Sequence, residues 1–395
     1  MRRLVAATVL AAGGVEGGAV ALAVIMYHRT HSTTWVSAVL VASLGLAALF
    51  GPLGGVVADR WPRRPLMVTV VVVEGVIYLA MIAASHPWQL VALAAVGAAV
   101  YSPYEAALAG VMPNLVPDNE LPRATAAMAA GSQTAVLAAP VVAGLLAEAA
   151  GGGPAFAAVA ICFLAAAVVV STVQGRFEGE RHERSTVAHE LRAGLRALWG
   201  ERVIAATTVS ATIAVAFAGA TLVAQVALAE QVFHRGGFGY GLMTSGVGAG
   251  LILGSALAGV LSERRPPLQL FVFGMAGFGV CLGLVSIAPL FIVALGLLVV
   301  AGFGNGMTNT TEMLLYQRLI PNHLIGRVRG AALSLIRATY ATSIVLGGVL
   351  IKPVGTRGVY AIAGAATLLG TLPALAAWIS QRRARGPAGP PAPSG

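Results

Sequence analysis

Gly55-Val56-Val57-Ala58-Asp59-Arg60-Trp61-Pro62-Arg63-Arg64-Pro65 is a short charged interruption between two long apolar runs, and it has a partner further along the chain. At an offset of 204 residues, Gly259-Val260-Leu261-Ser262-Glu263-Arg264 repeats glycine, small apolar residues, acid and arginine. Pro117 and Arg123 recur at the same offset as Pro321 and Arg327, and Ala143-Gly144 recurs as Gly347-Gly348. Three separate regions in one register mark two copies of one unit.

What surrounds these loops is too apolar for water. Of 395 residues, 57% are hydrophobic and 10% charged, with mean hydropathy +0.84, so neither a soluble surface nor disorder is supported. Apolar runs span about 5–27, 35–58, 66–85, 88–112, 123–149, 153–173, 203–229, 239–261, 268–287, 289–314, 329–351 and 358–380, with the ninth and tenth divided at Ala288-Pro289. Each run is long enough to cross a bilayer as a helix. The expected fold is an all-α membrane protein of twelve transmembrane helices in two pseudo-symmetric six-helix bundles, 1–173 and 203–385. A cytoplasmic linker, 174–202, carries a helix-like stretch Glu190–Trp199, and a Pro-rich tail, 386–395, reads as disordered.

Basic residues orient the chain. Twenty of the 25 Lys and Arg residues fall at the termini and in even-numbered loops, and only Arg29, Arg235, Lys352 and Arg357 in odd-numbered ones. Basic residues are retained in the cytoplasm, so both termini are expected there, in a multi-pass protein of the cytoplasmic membrane. The opening Met1-Arg2-Arg3 run resembles a secretory signal, but the apolar stretch continues past Glu16 to Met26 and reads as the first span. Net charge is +10, yet the basic residues are dispersed between runs, which argues against nucleic-acid binding. Cys162 and Cys281 lie inside apolar runs and indicate neither a disulfide nor a metal site.

Glycine, Ala-Asp-Arg and a basic pair between helices two and three resemble the loop signature of the major facilitator superfamily, with the weaker echo at Gly259–Arg265. In the fifth run, Ala126, Ala135, Ala139, Pro140, Ala143 and Gly144 fall at the spacing of that family's exporter motif, although four of its five glycines are alanine here. Val116–Ala124 and Ile320–Val328 add likeness to the drug and siderophore exporter branch. Pro62 stands where the signature has glycine, and the fourth helix lacks the arginine of many proton-coupled members. The resemblance implies a secondary transporter powered by a transmembrane proton gradient with no cofactor. Its partners would be the lipid bilayer, protons and a small-molecule substrate, and a monomer is expected.

The resemblance also assigns roles. It places Asp59 near the start of helix eleven, close to Arg327 and Arg329, so Asp59, with Glu263 as pseudo-symmetric partner, is the expected gate latch; Arg60, Arg63, Arg64 and Arg264 are gating or topology residues. Helices one, four, seven and ten would line the cavity and three, six, nine and twelve face outward. Ionisable groups inside spans are costly and by default functional. Glu16 and Glu105 become the leading proton or substrate carboxyls, the alternative being an internal ion pair with Arg337. Tyr101, Tyr104, Gln133, Gln225, Asn305 and Asn309 are candidate substrate contacts, with interhelical hydrogen bonding as the plainer reading of the amides. Glu74 reads as structural on an outward helix, Glu148, Glu230 and Glu312 as solvated or capping, and His28 with His31 as a surface pair. Gly246, Gly250, Gly254 and Ala258 form one small face for helix packing.

No Gly-x-x-x-x-Gly-Lys-Ser/Thr phosphate loop occurs, which excludes ATP hydrolysis as the driving force. No His-Glu-x-x-His or Gly-x-Ser-x-Gly occurs either, so the chain is not read as an enzyme. The leading function is proton-coupled export of a small lipophilic, drug-like compound. Export of a siderophore or metabolite, or import, remains open, and an intramembrane enzyme, scramblase or sensor is disfavoured. Sidedness is checked by fusion reporters. Green fluorescent protein joined after Arg385 is expected to fluoresce and alkaline phosphatase joined after Arg235 to be active; the reversed pattern would overturn the orientation.

Overall fold

The computed structural model describes the backbone of residues 2–115, 121–173 and 187–384. Apolar runs become helices and their breaks are where the sequence places Pro, Gly or charge. Span 1 is Arg2–Thr30, span 3 Arg63–Ala83, span 4 Pro87–Leu115, span 5 Leu121–Ala150 and span 6 Gly152–Ser171. Span 2 is composite, Thr33–Leu40 and Leu46–Arg60 joined by a π-helical stretch at Val41–Gly45. Span 7, Arg202–Ala227, also ends in a π-helical stretch, Leu228–Val232. Spans 8, 9 and 10 are Gly236–Leu261, Pro267–Val285 and Phe291–Leu319, so the division expected at Ala288-Pro289 stands. Spans 11 and 12 run together as Asn322–Ala384, broken at Gly355, whose φ of 73° belongs to the left-handed region glycine tolerates. Gly151, with φ 77°, makes the turn between spans 5 and 6 in the same way.

The linker contains a helix, Val187–Gly200, slightly longer than the sequence suggests. It packs on the start of span 11, where Gly194 lies against the Arg327 carbonyl. Residues 174–186 and the tail 386–395 lie outside the described residues.

Apolar side chains give helices no preference for each other over lipid, so packing here depends on shape. Spans 8 and 10 fit through reciprocal small residues. Gly250 and Gly254 lie on the backbone of Val299 and Phe303, while Gly302 and Gly306 lie on the backbone of Val247 and Leu251. Within the first six spans, span 1 packs on spans 5 and 6, span 3 on 4 and 6, and span 2 on 4. Span 9 packs on spans 10 and 12, and span 7 on the long helix of spans 11 and 12. Two helix pairs carry most of the contact between the first six spans and the last six, span 5 with span 8 and span 2 with span 11, and span 1 adds smaller contacts with spans 7 and 8. Gly254→Val would drive two methyl groups into the Phe303 carbonyl, and overpacking of this kind costs about 1–3 kcal/mol. Thermal unfolding in detergent is expected to shift down by several degrees for Gly254→Val and to stay unchanged for Gly259→Val, where a Cβ meets open space.

Candidate functional site

The cross-half hydrogen bonds among the described residues gather at the face opposite the termini. Ser37 Oγ donates to the Ile344 carbonyl at 2.7 Å, and Thr34 Oγ1 to that of Gly348 at 3.4 Å, joining spans 2 and 11. Gln231 Nε2 donates to Tyr27 Oη at 2.6 Å. The Gly237 amide donates to Glu148 Oε2 at 2.8 Å, and His28 Nε2 lies 2.9 Å from Glu230 Oε1. Alongside, Gly144 and Pro140 of span 5 meet Gly237 and Gly241 of span 8 backbone to backbone. Of the small residues at exporter-motif spacing, Pro140 and Gly144 therefore meet the other half, while Ala139 and Ala143 lie against Gly17 of span 1 and the Ala126 side chain lies outside the described residues.

Beneath this closed face the carboxyls collect. A cavity of about 170 Å³ opens among spans 1, 2, 3, 4 and 6, lined in part by Glu74, Tyr101, Ser102 and Glu105. Tyr101 lies within electrostatic range of Glu16, Glu74 and Glu105 together. Across the halves, Tyr240 of span 8 and Tyr340 of span 11 lie within electrostatic range of Glu16. Glu16, at mid-span, thus lies within electrostatic range of tyrosines on three helices, one in its own half and two in the other.

Span 3 was expected to face outward and Glu74 to be structural; the helix does expose Val72, Val76, Leu79 and Ile82, while the Glu74 side chain, 4% exposed, turns into the cavity of its own half. Glycine makes the space, because a Cβ at Gly97 would stand 3.2 Å from Glu74 Oε2. Its Oε1 has no hydrogen-bond partner among the described residues. An ionised carboxylate so placed carries a large desolvation cost, which a bound proton or a cation removes. A helix on the rim still presents one face to the bundle, and Glu74 lies on that face.

Other residues are placed as follows. Glu105 is exposed at the cavity and Glu16 half-buried. Arg337 is exposed, and no ion pair joins it to Glu16 or Glu105 among the described residues, so the internal pair weighed for it is not formed. Tyr104 is fully buried and stacks on Tyr101 with ring centres 5.3 Å apart, which makes it a wall behind the cavity. Gln225 is buried and donates to Thr244 Oγ1 at 3.2 Å, an interhelical bond between spans 7 and 8. Gln133 and Asn305 are half-buried and Asn309 exposed. Glu312, expected as a span-end cap, instead accepts from Tyr316 Oη at 3.3 Å, and Tyr316 Oη lies 3.3 Å from Thr208 Oγ1. Glu148 and Glu230, expected to be solvated or capping, both meet His28, Glu230 across the halves, and Glu148 also caps the first turn of span 8 through the Gly237 amide, so His28 is partnered by these acids instead of by His31.

At the terminal face, Arg64 donates to the Ser171 carbonyl and Arg3 to that of Thr172 at 2.8 Å, tying the loop and the N-terminus to the end of span 6. Arg60, Glu263, Arg264 and Arg327 are exposed and Arg63 half-buried. The Asp59 side chain lies outside the described residues. Sequence reasoning missed Tyr240 and Tyr340, which carry no motif; their positions on the two helices that join the halves were the available signal. Replacing Glu74 by the similarly sized Met removes an unpartnered buried oxygen, worth about 1–3 kcal/mol. Glu74→Met is expected to raise the unfolding temperature in detergent; a lowered one would mean that the carboxyl holds spans 3 and 4 together.

Among solved structures the chain is similar to several transporters. A single-site variant of the nucleoside transporter NupG aligns at 12% identity over 95% of this chain and 98% of that one, with TM-score 0.76. A POT family transporter in complex with a thioalcohol-conjugated peptide aligns at 13% identity over 96% of each chain, TM-score 0.72. A bacterial homologue of the human lysosomal transporter Spinster aligns at 13% identity over 99% and 98%, TM-score 0.67. No curated protein matches. At these identities the likeness establishes the fold. The family follows from the sequence, since residues 4–341 match the Major Facilitator Superfamily model: the chain belongs to the major facilitator superfamily, a family of membrane transporters, not enzymes.

Proposed function

We propose that this transporter is a proton-coupled exporter of small lipophilic compounds, of the drug and metabolite exporter type, working by alternating access with both termini in the cytoplasm. The observation that carries the reading is the grouping of Glu16, Glu74 and Glu105 around Tyr101 beneath a face closed by hydrogen bonds between the halves. A carboxyl inside a bilayer is costly, and one that alternates between a proton and a cationic substrate is neutralised in both states. Glu74, lodged without a partner in its own half, suits the proton site. Glu16, within electrostatic range of Tyr101, Tyr240 and Tyr340, suits a substrate with an apolar body and a positive charge, since tyrosine offers an aromatic face and a hydroxyl together.

Rocking of the halves, 1–173 against 203–385, breaks the bonds at Ser37, Thr34 and Gln231 and requires closure at the terminal face. There Asp59 and its counterpart Glu263 act as latches toward the arginines at the start of span 11, Arg327 among them. The proton gradient supplies the bias, and the chain acts as a monomer.

The test is efflux of a lipophilic cationic dye from vesicles under an imposed proton gradient. Wild type is expected to move dye with the gradient, and Glu74→Gln to lose roughly 100-fold of that movement, the size of a missing proton-transfer group. Dye movement indifferent to the gradient would overturn proton coupling. No movement of any cationic dye would overturn the lipophilic-cation substrate.

A further inference from the structure

The closed face carries a cluster that the transport reading does not use. Span 1 ends at His28-Arg29-Thr30, span 5 at Glu148-Ala149-Ala150, and span 7 at the π-helical stretch that holds Glu230. Three helix C-termini therefore converge at one point of the surface. Each brings the negative end of its dipole, and two bring carboxylates as well. One ligand atom from each of His28, Glu148 and Glu230 lies within 4.8 Å of the others. His28 Nε2 stands 2.9 Å from Glu230 Oε1 and 3.7 Å from Glu148 Oε2. Ligand atoms tetrahedrally arranged around zinc at about 2.0–2.1 Å stand roughly 3.3 Å apart, between those two separations.

The surroundings are those of a cation site. The Gly237 amide donates to Glu148 Oε2 and fixes the carboxylate's orientation, as outer-sphere donors do for metal-bound carboxylates. The π-helical insertion at Leu228–Val232 carries Glu230, and such insertions recur at functional sites. The His28 and Glu148 side chains are 37% and 44% exposed, which leaves room for an ion to enter and for a water to complete its coordination. Imidazole with two carboxylates suits zinc and similar first-row divalent ions, and no thiol is present to favour a softer metal.

We propose that His28, Glu148 and Glu230 form a zinc-class divalent cation site that bridges the halves and holds this face closed. His28 and Glu148 belong to the first six spans and Glu230 to the seventh, so opening the face pulls the ligands apart. A cation that binds only the closed form shifts the population toward it. Binding itself does not depend on the substrate, the direction of transport or proton coupling.

Zinc chloride titrated into tag-free purified protein in detergent, followed by calorimetry and by thermal unfolding, tests the site. Wild type is expected to bind one zinc per chain and to unfold at a higher temperature with zinc than without. Glu230→Gln and His28→Ala are each expected to weaken binding by more than about tenfold, as loss of one of three ligands should. Unfolding temperatures without zinc show that the variants are folded, and the wild-type zinc shift stands whether or not they are. Absence of stoichiometric binding to wild type would overturn the site and leave the imidazolium of His28 as the sole bridge between the acids. Undiminished binding in both folded variants would place the zinc on other exposed histidines, such as His31 or His86, and overturn it equally.

Discussion

Everything in this molecule rests on close approach of helix backbones, because apolar side chains gain nothing by leaving lipid for one another. Where Gly144 and Pro140 face Gly237 and Gly241, no side chain separates span 5 from span 8. Where Gly250 and Gly254 face Val299 and Phe303, the same holds for spans 8 and 10. The two contacts serve different ends. The second lies inside one half and makes it rigid, and the first joins the two halves and must be able to part. That difference appears in the polar groups beside them: the seam between spans 5 and 8 ends in His28, Glu148, Glu230 and Gln231 at the surface, where water can replace each bond as it breaks.

Polar groups away from the seam follow another rule. Glu312 and Tyr316, with Thr208, satisfy one another inside the last six spans. Gln225 does so with Thr244. Glu74 does not, and its Oε1 lies unpartnered beside the glycine that gives it room. Among the described residues, the last six spans thus hold a compensated polar cluster and the first six a buried carboxyl with an unpartnered oxygen.

The architecture was legible because the bilayer imposes lengths. A run of about 20 apolar residues has one stable form there, so the apolar runs became long helices, and even the division at Ala288-Pro289 held. The spacing of Gly246, Gly250 and Gly254 likewise announced a packing face, since four residues return a helix to the same side. The site was less legible. Periodicity says which residues share a face but not whom the face meets, so Glu74 was assigned to the rim and His28 to the wrong neighbour. Tyr240 and Tyr340 had no motif to announce them, since only the packing of distant halves brings them within electrostatic range of Glu16.

The closed face combines two kinds of polar contact. Ser37 and Thr34 donate to main-chain carbonyls of span 11; the one at 344 any residue would supply, whereas 348 calls for glycine, because a Cβ there would stand 2.5 Å from that of Ser37. The acids and imidazole a short way off are different, because two carboxylates within 4.8 Å repel unless a positive charge lies between them. Carbonyl bonds alone would give a face whose closure is indifferent to the solution outside. Adding a cluster that closes only around a proton or a metal ion makes closure depend on what that solution contains, and places the dependence where exchange with it is unhindered.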